Sequence, residues 1–238
     1  MLGLTRPHLR RLREIYRSAG WPCQDALEIE LLAAGALQRV CDAQGRDTLR
    51  VTDAGMALLA ASLQKNRAAF DAHEALVQRV AREMQRAGRV VWCGLALRAK
   101  AGEEDDRALW RMAQPDVFSI RNTTRADFVE PIVHEIKVRR ADLLSDLRHE
   151  AKRTAYLALS GECWYVLAPG IAKAEEIPAD YGVLEAQPGA LQCLRPAPRR
   201  AMTLPFGVWM ALAKATPLPR DDDDAQGWLG DSLDTDTS

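Results

Sequence analysis

Residues 131–138, PIVHEIKV, combine the apolar pattern of a buried strand with two charged side chains. Glu135 and Lys137 are two positions apart, and side chains with that spacing point to the same side of a strand. Interior strands rarely carry unpaired charge, so a carboxylate beside an ammonium group indicates either an ion pair or a chemical site. A chemical site would require further polar side chains close to this strand.

Two other segments supply such side chains. Asp116 begins a predicted strand, PDVFSI, and the loop after it suits a hairpin with the strand that carries Glu135. Glu74 lies on a predicted amphipathic helix that precedes both strands. Phosphodiester hydrolysis needs a positioned water and neutralised phosphoryl charge, and Mg²⁺ held by carboxylate oxygens supplies both. Asp116 and Glu135 could share such a metal, while Lys137 orients or deprotonates the water or stabilises developing negative charge.

Other titratable side chains near these segments are predicted to have structural roles outside the site. His134 faces the opposite side of the strand from Glu135. His73 precedes Glu74 but is predicted to project elsewhere on the helix. Asp146 is predicted to lie at the start of the next helix, where an acidic side chain suits the helix dipole.

Residues 1–63 are predicted to form a small separate domain. Its predicted elements are a helix from Thr5 to about residue 19, a helix at 25–34, strands at 37–41 and 48–51, and a helix that begins near Thr52. This order is that of a winged helix. The stretch GALQRV…GRDTLRVTDAGMALL is similar to the wing region of winged-helix regulators of the MarR kind.

The rest of the chain alternates helices and strands, which predicts an α/β fold. The predicted elements are a helix at 64–87 with Phe70, Leu76, Val77, Val80 and Met84 inward, strands at 89–97, 115–120 and 131–138, a helix at 141–160, strands at 162–168, 182–186 and 190–194, and a closing helix near 203–215. Residues 98–113 are polar and are predicted to be an insertion or loop.

Pro115-Asp116 followed by Glu135-Ile136-Lys137 resembles the PD-(D/E)xK motif of the restriction-endonuclease-like nuclease superfamily. The predicted αβββαβ order from residue 64 is similar to the core of that superfamily, and Glu74 matches an acidic position on its first helix. The resemblance covers roughly residues 64–200. It implies a restriction-endonuclease-like domain at 64–216, preceded by the winged helix.

The resemblance also implies roles for individual side chains. Asp116, Glu135 and the backbone carbonyl of Ile136 would hold Mg²⁺ or Mn²⁺, with Glu74 as a further candidate ligand. Lys137 would be the catalytic lysine, and Lys152 matches the polar residue that the next helix adds to the site. The alternative for Glu135 and Lys137 is a structural ion pair on an edge strand.

DNA contacts are predicted for basic and aromatic side chains that surround these positions, namely Arg139, Arg140, Arg148, Tyr156 and, on the wing, Arg46 and Arg50. The alternative for Arg139, Arg140 and Arg148 is that they are solvent-exposed charges without a role in binding. The helix at 25–34 of the winged helix carries Asp25, Glu28 and Glu30 and no Arg or Lys. Base reading normally requires basic or amide side chains, so the winged helix is predicted to contact the DNA backbone or to serve packing and dimerisation.

Charge is distributed unevenly along the chain. Residues 220–238 contain seven Asp and one Arg, so the remaining residues carry a net charge of about +5, against −1 for the whole sequence. Residues 217–238 are predicted to be an acidic disordered tail. The five Cys form no CxxC pair, and no run of about 18 apolar residues is present, so a cytoplasmic protein without membrane association is expected.

These observations predict a metal-dependent DNA nuclease that acts in DNA repair or in defence against foreign DNA. The alternative is a non-catalytic DNA-binding or regulatory protein that retains the nuclease fold. The sequence does not distinguish endonuclease from exonuclease activity, or a monomer from a homodimer.

Overall fold

We describe a computed structural model of the chain for residues 4–18, 20–104 and 107–219, without the side chains of residues 101, 103, 104, 107 and 108. The chain divides into two compact units, Met1–Asp71 and Ala72–Ser238. The division falls eight residues after the boundary predicted at residue 63. Most of the predicted acidic tail, from residue 220 onward, lies outside the described residues.

The first unit contains two short helices, a two-stranded sheet and the start of a long helix. Its elements are α1 (Arg6–Arg17), α2 (Ala26–Ala33), β1 (Leu37–Cys41), β2 (Asp47–Val51) and α3, which begins at Asp53. β1 and β2 pair as antiparallel strands, with Leu37 opposite Val51. Leu12, Leu31 and Leu49 are buried together in its core. The helices and strands predicted for this unit are confirmed, with ends that shift by one or two residues.

Helix α3 extends without interruption from Asp53 to Arg86. The prediction of one helix near Thr52 and a second at 64–87 is therefore wrong. Residues 56–87 contain neither Gly nor Pro, so nothing in the sequence stops the helix at residue 63. Gly88, at φ +76°, ends it. Phe70 was predicted to face inward, but it lies 64% exposed.

The second unit is built on a six-stranded mixed sheet. Its strands are β3 (Arg89–Cys93), β6 (Val117–Arg121), β7 (Ile132–Lys137), β8 (Glu162–Leu167), β9 (Gly182–Gln187) and β10 (Ala190–Arg195), in the spatial order β10-β9-β8-β7-β6-β3; the chain also forms β4 (Leu97–Glu104) and β5 (Arg107–Ala113) between β3 and β6. The pairs β3–β6 and β6–β7 are antiparallel, whereas β7–β8 and β8–β9 are parallel.

Helices cover both faces of this sheet. On one face Val77 and Val80 of α3 pack against Val117 and Ile136. The other face is covered by α4 (Arg140–Leu147), α5 (Glu150–Leu159) and α6 (Phe206–Lys214). An interior sheet buried on both sides explains why PIVHEIKV reads as a nearly continuous apolar run.

Three further predicted elements differ from the structure. The strand predicted at 89–97 ends at Cys93, because Gly94, at φ +59°, breaks it before β4 begins at Leu97. Residues 98–113, predicted as a loop, belong largely to the antiparallel hairpin of β4 and β5. The single helix predicted at 141–160 is two helices, because Arg148 and His149 turn back onto the carbonyls of Ser145 and Asp146 and α5 starts again at Glu150. The Arg153 guanidinium donates a hydrogen bond to the Leu147 carbonyl and so satisfies an acceptor at the end of α4.

Within the described residues, no helix combines the length and the apolar character that crossing a membrane would require.

Candidate active site

The predicted acidic pair lies where β7 ends and β6 begins. Val117, the first residue of β6, pairs with His134, so Asp116 stands beside Glu135 on the adjacent strand. Glu135 and Lys137 point to the face of the sheet that α4 and α5 cover, because they alternate with His134 and Ile136. The structure therefore brings Asp116, Glu135 and Lys137 together.

Glu135 is the most unusual side chain of this group. It is only 3% exposed, and its Oε1 lies 2.5 Å from the Lys137 Nζ and 2.6 Å from the Lys152 Nζ. Its Oε2 is buried and has no hydrogen-bond partner among the described residues. Burial and the neighbouring Asp116 raise the pKa of Glu135, and they outweigh the two ammonium groups. Glu135 is thus a buried carboxylate with one oxygen still unpaired.

Asp116 is tied to the backbone of the same strand. Its Oδ2 accepts a hydrogen bond of 2.7 Å from the Ile136 N–H. The N–H and C=O of a strand residue point to the same side of the strand. The Ile136 carbonyl therefore also points towards Asp116, at the edge of β7 that continues past the first residue of β6. The Asp116 side chain remains 21% exposed. The Asp116 carboxylate and the Ile136 carbonyl therefore lie at the same edge of β7, next to the strand position of Glu135.

Glu74 joins this region through its neighbour in α3. The Nδ1 of His73 is 3.2 Å from Glu74, and its Nε2 is 3.4 Å from the Asp116 Oδ2. The prediction that His73 projects elsewhere is wrong. Asp116 is the main cause that raises the pKa of His73. Glu74 itself is about half exposed and reaches Asp116 only by way of His73.

Asp146 was missed as a site residue. It lies near the end of α4 rather than at its start, is buried, and accepts hydrogen bonds from the Lys152 Nζ at 2.6 Å and the Tyr165 hydroxyl at 2.7 Å. Its Oδ1 is also 3.5 Å from the Lys137 Nζ. Burial alone would raise the pKa of Asp146, but the two lysines and the tyrosine lower it. The spacing of Leu143, Asp146 and Leu147 places them on one helix face, and this was the available signal.

Lys152 links the two buried carboxylates. It contacts Glu135 and Asp146, and these acids raise its pKa against the opposing effect of burial. Its Nζ also lies 5.2 Å from the centre of the Tyr156 ring, within range of a cation–π interaction. Tyr156 is 2% exposed and its hydroxyl donates to the Gln114 carbonyl at 2.9 Å, so the predicted DNA contact has no exposed surface to use.

The arginines that were predicted to contact DNA differ in exposure and in pairing. Arg140 is exposed but paired with Glu176 at 2.6 Å, and Arg148 is exposed at the end of α4. Arg139 is partly buried. Arg46 and Arg50 are exposed on the β1–β2 hairpin of the first unit, where Arg46 pairs with Asp42 at 2.7 Å.

The acidic side chains of α2 are used inside the first unit. Asp25 caps the helix and pairs with Arg11 at 2.7 Å, Glu28 accepts hydrogen bonds from the Cys23 and Gln24 N–H groups, and Glu30 contacts His8. The side chains that α2 exposes are Ala26, Ile29 and Ala33. These side chains offer no hydrogen bond to a base edge.

The donor set suits a hard divalent cation. Among the residues that the structure describes, no group of three or more His, Cys, Asp or Glu side chains is arranged around a common metal position. Mg²⁺ does not need such a cage, because it keeps several water ligands and is usually bound through one or two carboxylates plus substrate oxygens. Asp116, the buried unpaired oxygen of Glu135 and the Ile136 carbonyl fit that requirement.

Comparisons with known proteins add little to this description. Neither the scan against protein-family models nor the search of curated proteins finds a match. Among solved structures, the chain is similar to the SPO1766 protein of unknown function from Silicibacter pomeroyi, with 24% sequence identity and a TM-score of 0.40, over 57% of this chain and 77% of that chain. Since the function of that protein is unknown, the likeness carries no functional argument.

Proposed function

We propose that this protein is a metal-dependent nuclease that hydrolyses DNA phosphodiester bonds, in DNA repair or in defence against foreign DNA. The observation that carries the proposal is Glu135, a carboxylate 3% exposed whose second oxygen has no partner among the described residues. Burying a charge with incomplete pairing costs stability, and such sites are commonly functional. Its position beside Asp116 and Lys137 matches the chemistry that phosphodiester hydrolysis requires.

The topology of the second unit supports this proposal. The order α3, β3, β6, β7, then helix and β8, with two antiparallel pairs followed by a parallel pair, is similar to the restriction-endonuclease-like αβββαβ core. The hairpin β4–β5 and the division of the crossover helix into α4 and α5 are additions to that pattern. The element order of the first unit likewise resembles a winged helix, which would supply additional contact to DNA or to a second protein chain.

The proposed roles follow from what each side chain can reach. Asp116, Glu135 and the Ile136 carbonyl would hold Mg²⁺ or Mn²⁺, with Glu74 as a candidate for a water-mediated contact. The bound ion would supply Lewis-acid stabilisation of the phosphoryl charge and a water of lowered pKa. Lys137 would orient the attacking water or donate a hydrogen bond to the developing charge on the phosphate.

The second lysine is proposed to have a positioning role. Lys152 lies between Glu135 and Asp146, and the two acids hold its ammonium group at 2.6 Å from each. In this position it neutralises part of the carboxylate charge and restricts the direction in which Glu135 points. A side chain that fixes a metal ligand in this way acts indirectly, through the geometry of the ligand.

The experiment is a cleavage assay with plasmid and single-stranded DNA in Mg²⁺, in Mn²⁺ and in EDTA. Glu135→Gln and Lys137→Met should each slow cleavage by about 100-fold or more, since each removes a group used in the reaction. Glu175→Gln and Lys214→Met are the matched controls, because both side chains are exposed and belong to other elements, and they should cut at the wild-type rate.

Two results would contradict the nuclease proposal. One is the absence of cleavage with every metal and substrate. The other is equal cleavage by the wild-type protein and by the Glu135 and Lys137 variants. Metal-independent binding of DNA without cleavage would favour the alternative of a DNA-binding or regulatory protein that keeps the fold.

A further inference from the structure

The hairpin of β4 and β5 lies next to the candidate active site. It is inserted between β3 and β6, and its last residue, Ala113, is followed directly by Gln114, Pro115 and Asp116. The hydroxyl of Tyr156, beneath Lys152 of the site, donates to the Gln114 carbonyl and so ties the base of the hairpin to α5. The hairpin therefore has a fixed attachment beside the catalytic carboxylates.

The two faces of the hairpin differ in character. Its inner face carries Leu97, Ala99 and Ala113, which are buried in the same core as α5. Strand alternation places Arg98, Lys100, Trp110 and Met112 on the outer face, where Arg98 pairs with Met112 and Lys100 pairs with Trp110 across the strands. The outer face is thus a mixture of basic and large apolar side chains.

The outer apolar side chains are exposed to an unusual degree. Trp110 is 45% exposed and Met112 is 67% exposed. The Arg98 guanidinium lies 5.0 Å from the centre of the Trp110 ring, so the cation holds the ring in a defined position. A held indole ring with an adjacent cation is suited to stacking against a flat, electron-rich partner while the cation contacts a nearby anion.

We propose that this outer face binds single-stranded DNA, with an unpaired base stacked on Trp110 and the phosphates beside it contacted by Arg98 and Lys100. The inference deepens the proposed nuclease function and rests on it. Base stacking on aromatic side chains combined with basic residues along the backbone is the general physical solution for single strands. In a duplex the base faces are covered by their neighbours, so the same ring has no face to stack on.

The distance along the chain suits this substrate. Trp110 lies six positions before Asp116, which corresponds to at most about 20 Å of extended strand. A strand bound at Trp110 would reach the carboxylates within a few nucleotides.

The test is fluorescence-anisotropy binding of the full-length protein to a labelled 20-nucleotide single strand and to the matching blunt duplex, in EDTA. Trp110→Ala should weaken binding of the single strand by about tenfold, the value expected for one stacked base, and should leave binding of the duplex unchanged. Trp110→Phe should retain most of the affinity, because it keeps an aromatic face. Trp21→Ala is the matched control, since Trp21 is 65% exposed in the first unit and should have no effect.

Arg98→Gln provides a second variant that keeps the core side of the hairpin intact. It should weaken single-strand binding and lower the dependence of log affinity on log salt by about 0.7. Unchanged affinity in both the Trp110→Ala and the Arg98→Gln variants, or an equal loss in Trp21→Ala and Trp110→Ala, would overturn the inference.

The experiment separates this inference from the proposed function. Because EDTA prevents metal-dependent cleavage, binding is measured whether or not the protein is a nuclease. If the wild-type protein cleaves DNA and its Trp110→Ala variant binds single strands normally, the single-strand inference is wrong and the nuclease proposal stands. If the Trp110→Ala variant loses single-strand binding and the wild-type protein cleaves no DNA with any metal, the single-strand inference stands and the nuclease proposal is wrong.

Discussion

Four charged side chains, Glu135, Lys137, Asp146 and Lys152, lie close together near the end of β7. The Glu135 Oε1 has an ammonium group on either side, and the Lys152 Nζ is at the same 2.6 Å distance from Asp146. Removing one member of such a buried group leaves its partners with uncompensated charge, which is more costly than the loss of a single hydrogen bond. Each member is therefore expected to affect stability as well as activity.

Asp146 allows this expectation to be tested through pH. The Asp146→Asn variant keeps the shape of the side chain and an acceptor for the Tyr165 hydroxyl, but it removes the negative charge that faces Lys137 and Lys152. We expect it to lower the free energy of unfolding at pH 7 by about 1–3 kcal/mol. The measurement is urea unfolding of both proteins without metal.

The sign of the pH dependence follows from the direction of the pKa shift. The pKa of Asp146 is lowered in the folded state, so its contribution is present above the unfolded value of about 4 and is lost as pH falls through the folded value. The difference between wild type and Asp146→Asn should therefore shrink below about pH 4. Asp180→Asn, at an exposed position, is the control. A difference that is absent at pH 7, or that grows on acidification, would contradict this role.

At the scale of elements, the sheet depends on one close contact between β8 and β9. Trp164 pairs with Gly182, and a Cβ added at Gly182 would lie 2.3 Å from the Trp164 ring. Gly182→Ala should therefore destabilise the protein by about 1–3 kcal/mol, because the ring must move out of its packing position. Gly207→Ala is the matched control, since a Cβ there meets no atom within 4 Å and alanine favours the helix α6.

A double-mutant cycle identifies the cause of this loss. When Trp164→Leu is already present, Gly182→Ala should cost less than in the wild-type background, because the ring that it would strike is gone. The free energies of unfolding of the four proteins provide the measurement. An equal cost in both backgrounds would show that the Trp164 ring is not responsible.

The elements that the sequence predicts best are those with a strong local period. Residues 131–138 and 162–168 have continuous apolar runs, and both are strands within one residue of the expected ends. The hairpin β4–β5 was missed because its inward side chains are the small Ala99 and Ala113 together with Leu97, which give a weak alternation. The apolar stripe at 141–160 continues across the break between α4 and α5, and no Gly or Pro marks that break.

The candidate site was predicted in part for the same reasons. Glu135 and Lys137 were identified because charges interrupt an apolar strand, and that contrast is visible in a single segment. Asp146 was not identified, because its role depends on Lys152 and Tyr165, which belong to other elements and meet it only in the folded chain. The local sequence pattern indicates which side chains are buried. Which side chains from distant segments contact each other can be seen only in the folded structure.

At the scale of the whole molecule, charge is divided between the described part and the C-terminal sequence. Residues 1–219 carry a net charge of about +5 and residues 220–238 carry about −6. If the chain binds DNA, the acidic segment competes with DNA for the basic residues and repels the phosphates. Deleting residues 220–238 should increase DNA affinity, by about tenfold near 50 mM salt.

The control for this deletion is the full-length chain with its seven C-terminal Asp residues changed to Asn. It should match the truncated protein, because the effect depends on charge and not on length. The difference from wild type should also disappear near 1 M salt, where the Debye length is about 3 Å. Anisotropy titrations at several salt concentrations provide the measurement, and a salt-independent difference would argue against an electrostatic cause.

The way in which the β4–β5 hairpin joins the sheet has a consequence for how this protein can change over evolution. The segment leaves after β3 and returns before β6, and the Gly94 N–H donates to the Asp116 carbonyl at 3.1 Å, so its two ends are already adjacent. Substitutions on the outer face of this segment, and changes in its length away from its two ends, can therefore accumulate without altering the pairing of β3 with β6. The outer face of the hairpin is free to vary in surface chemistry while Asp116, Glu135 and Lys137 stay in place, so new binding preferences can arise without loss of the proposed catalytic groups.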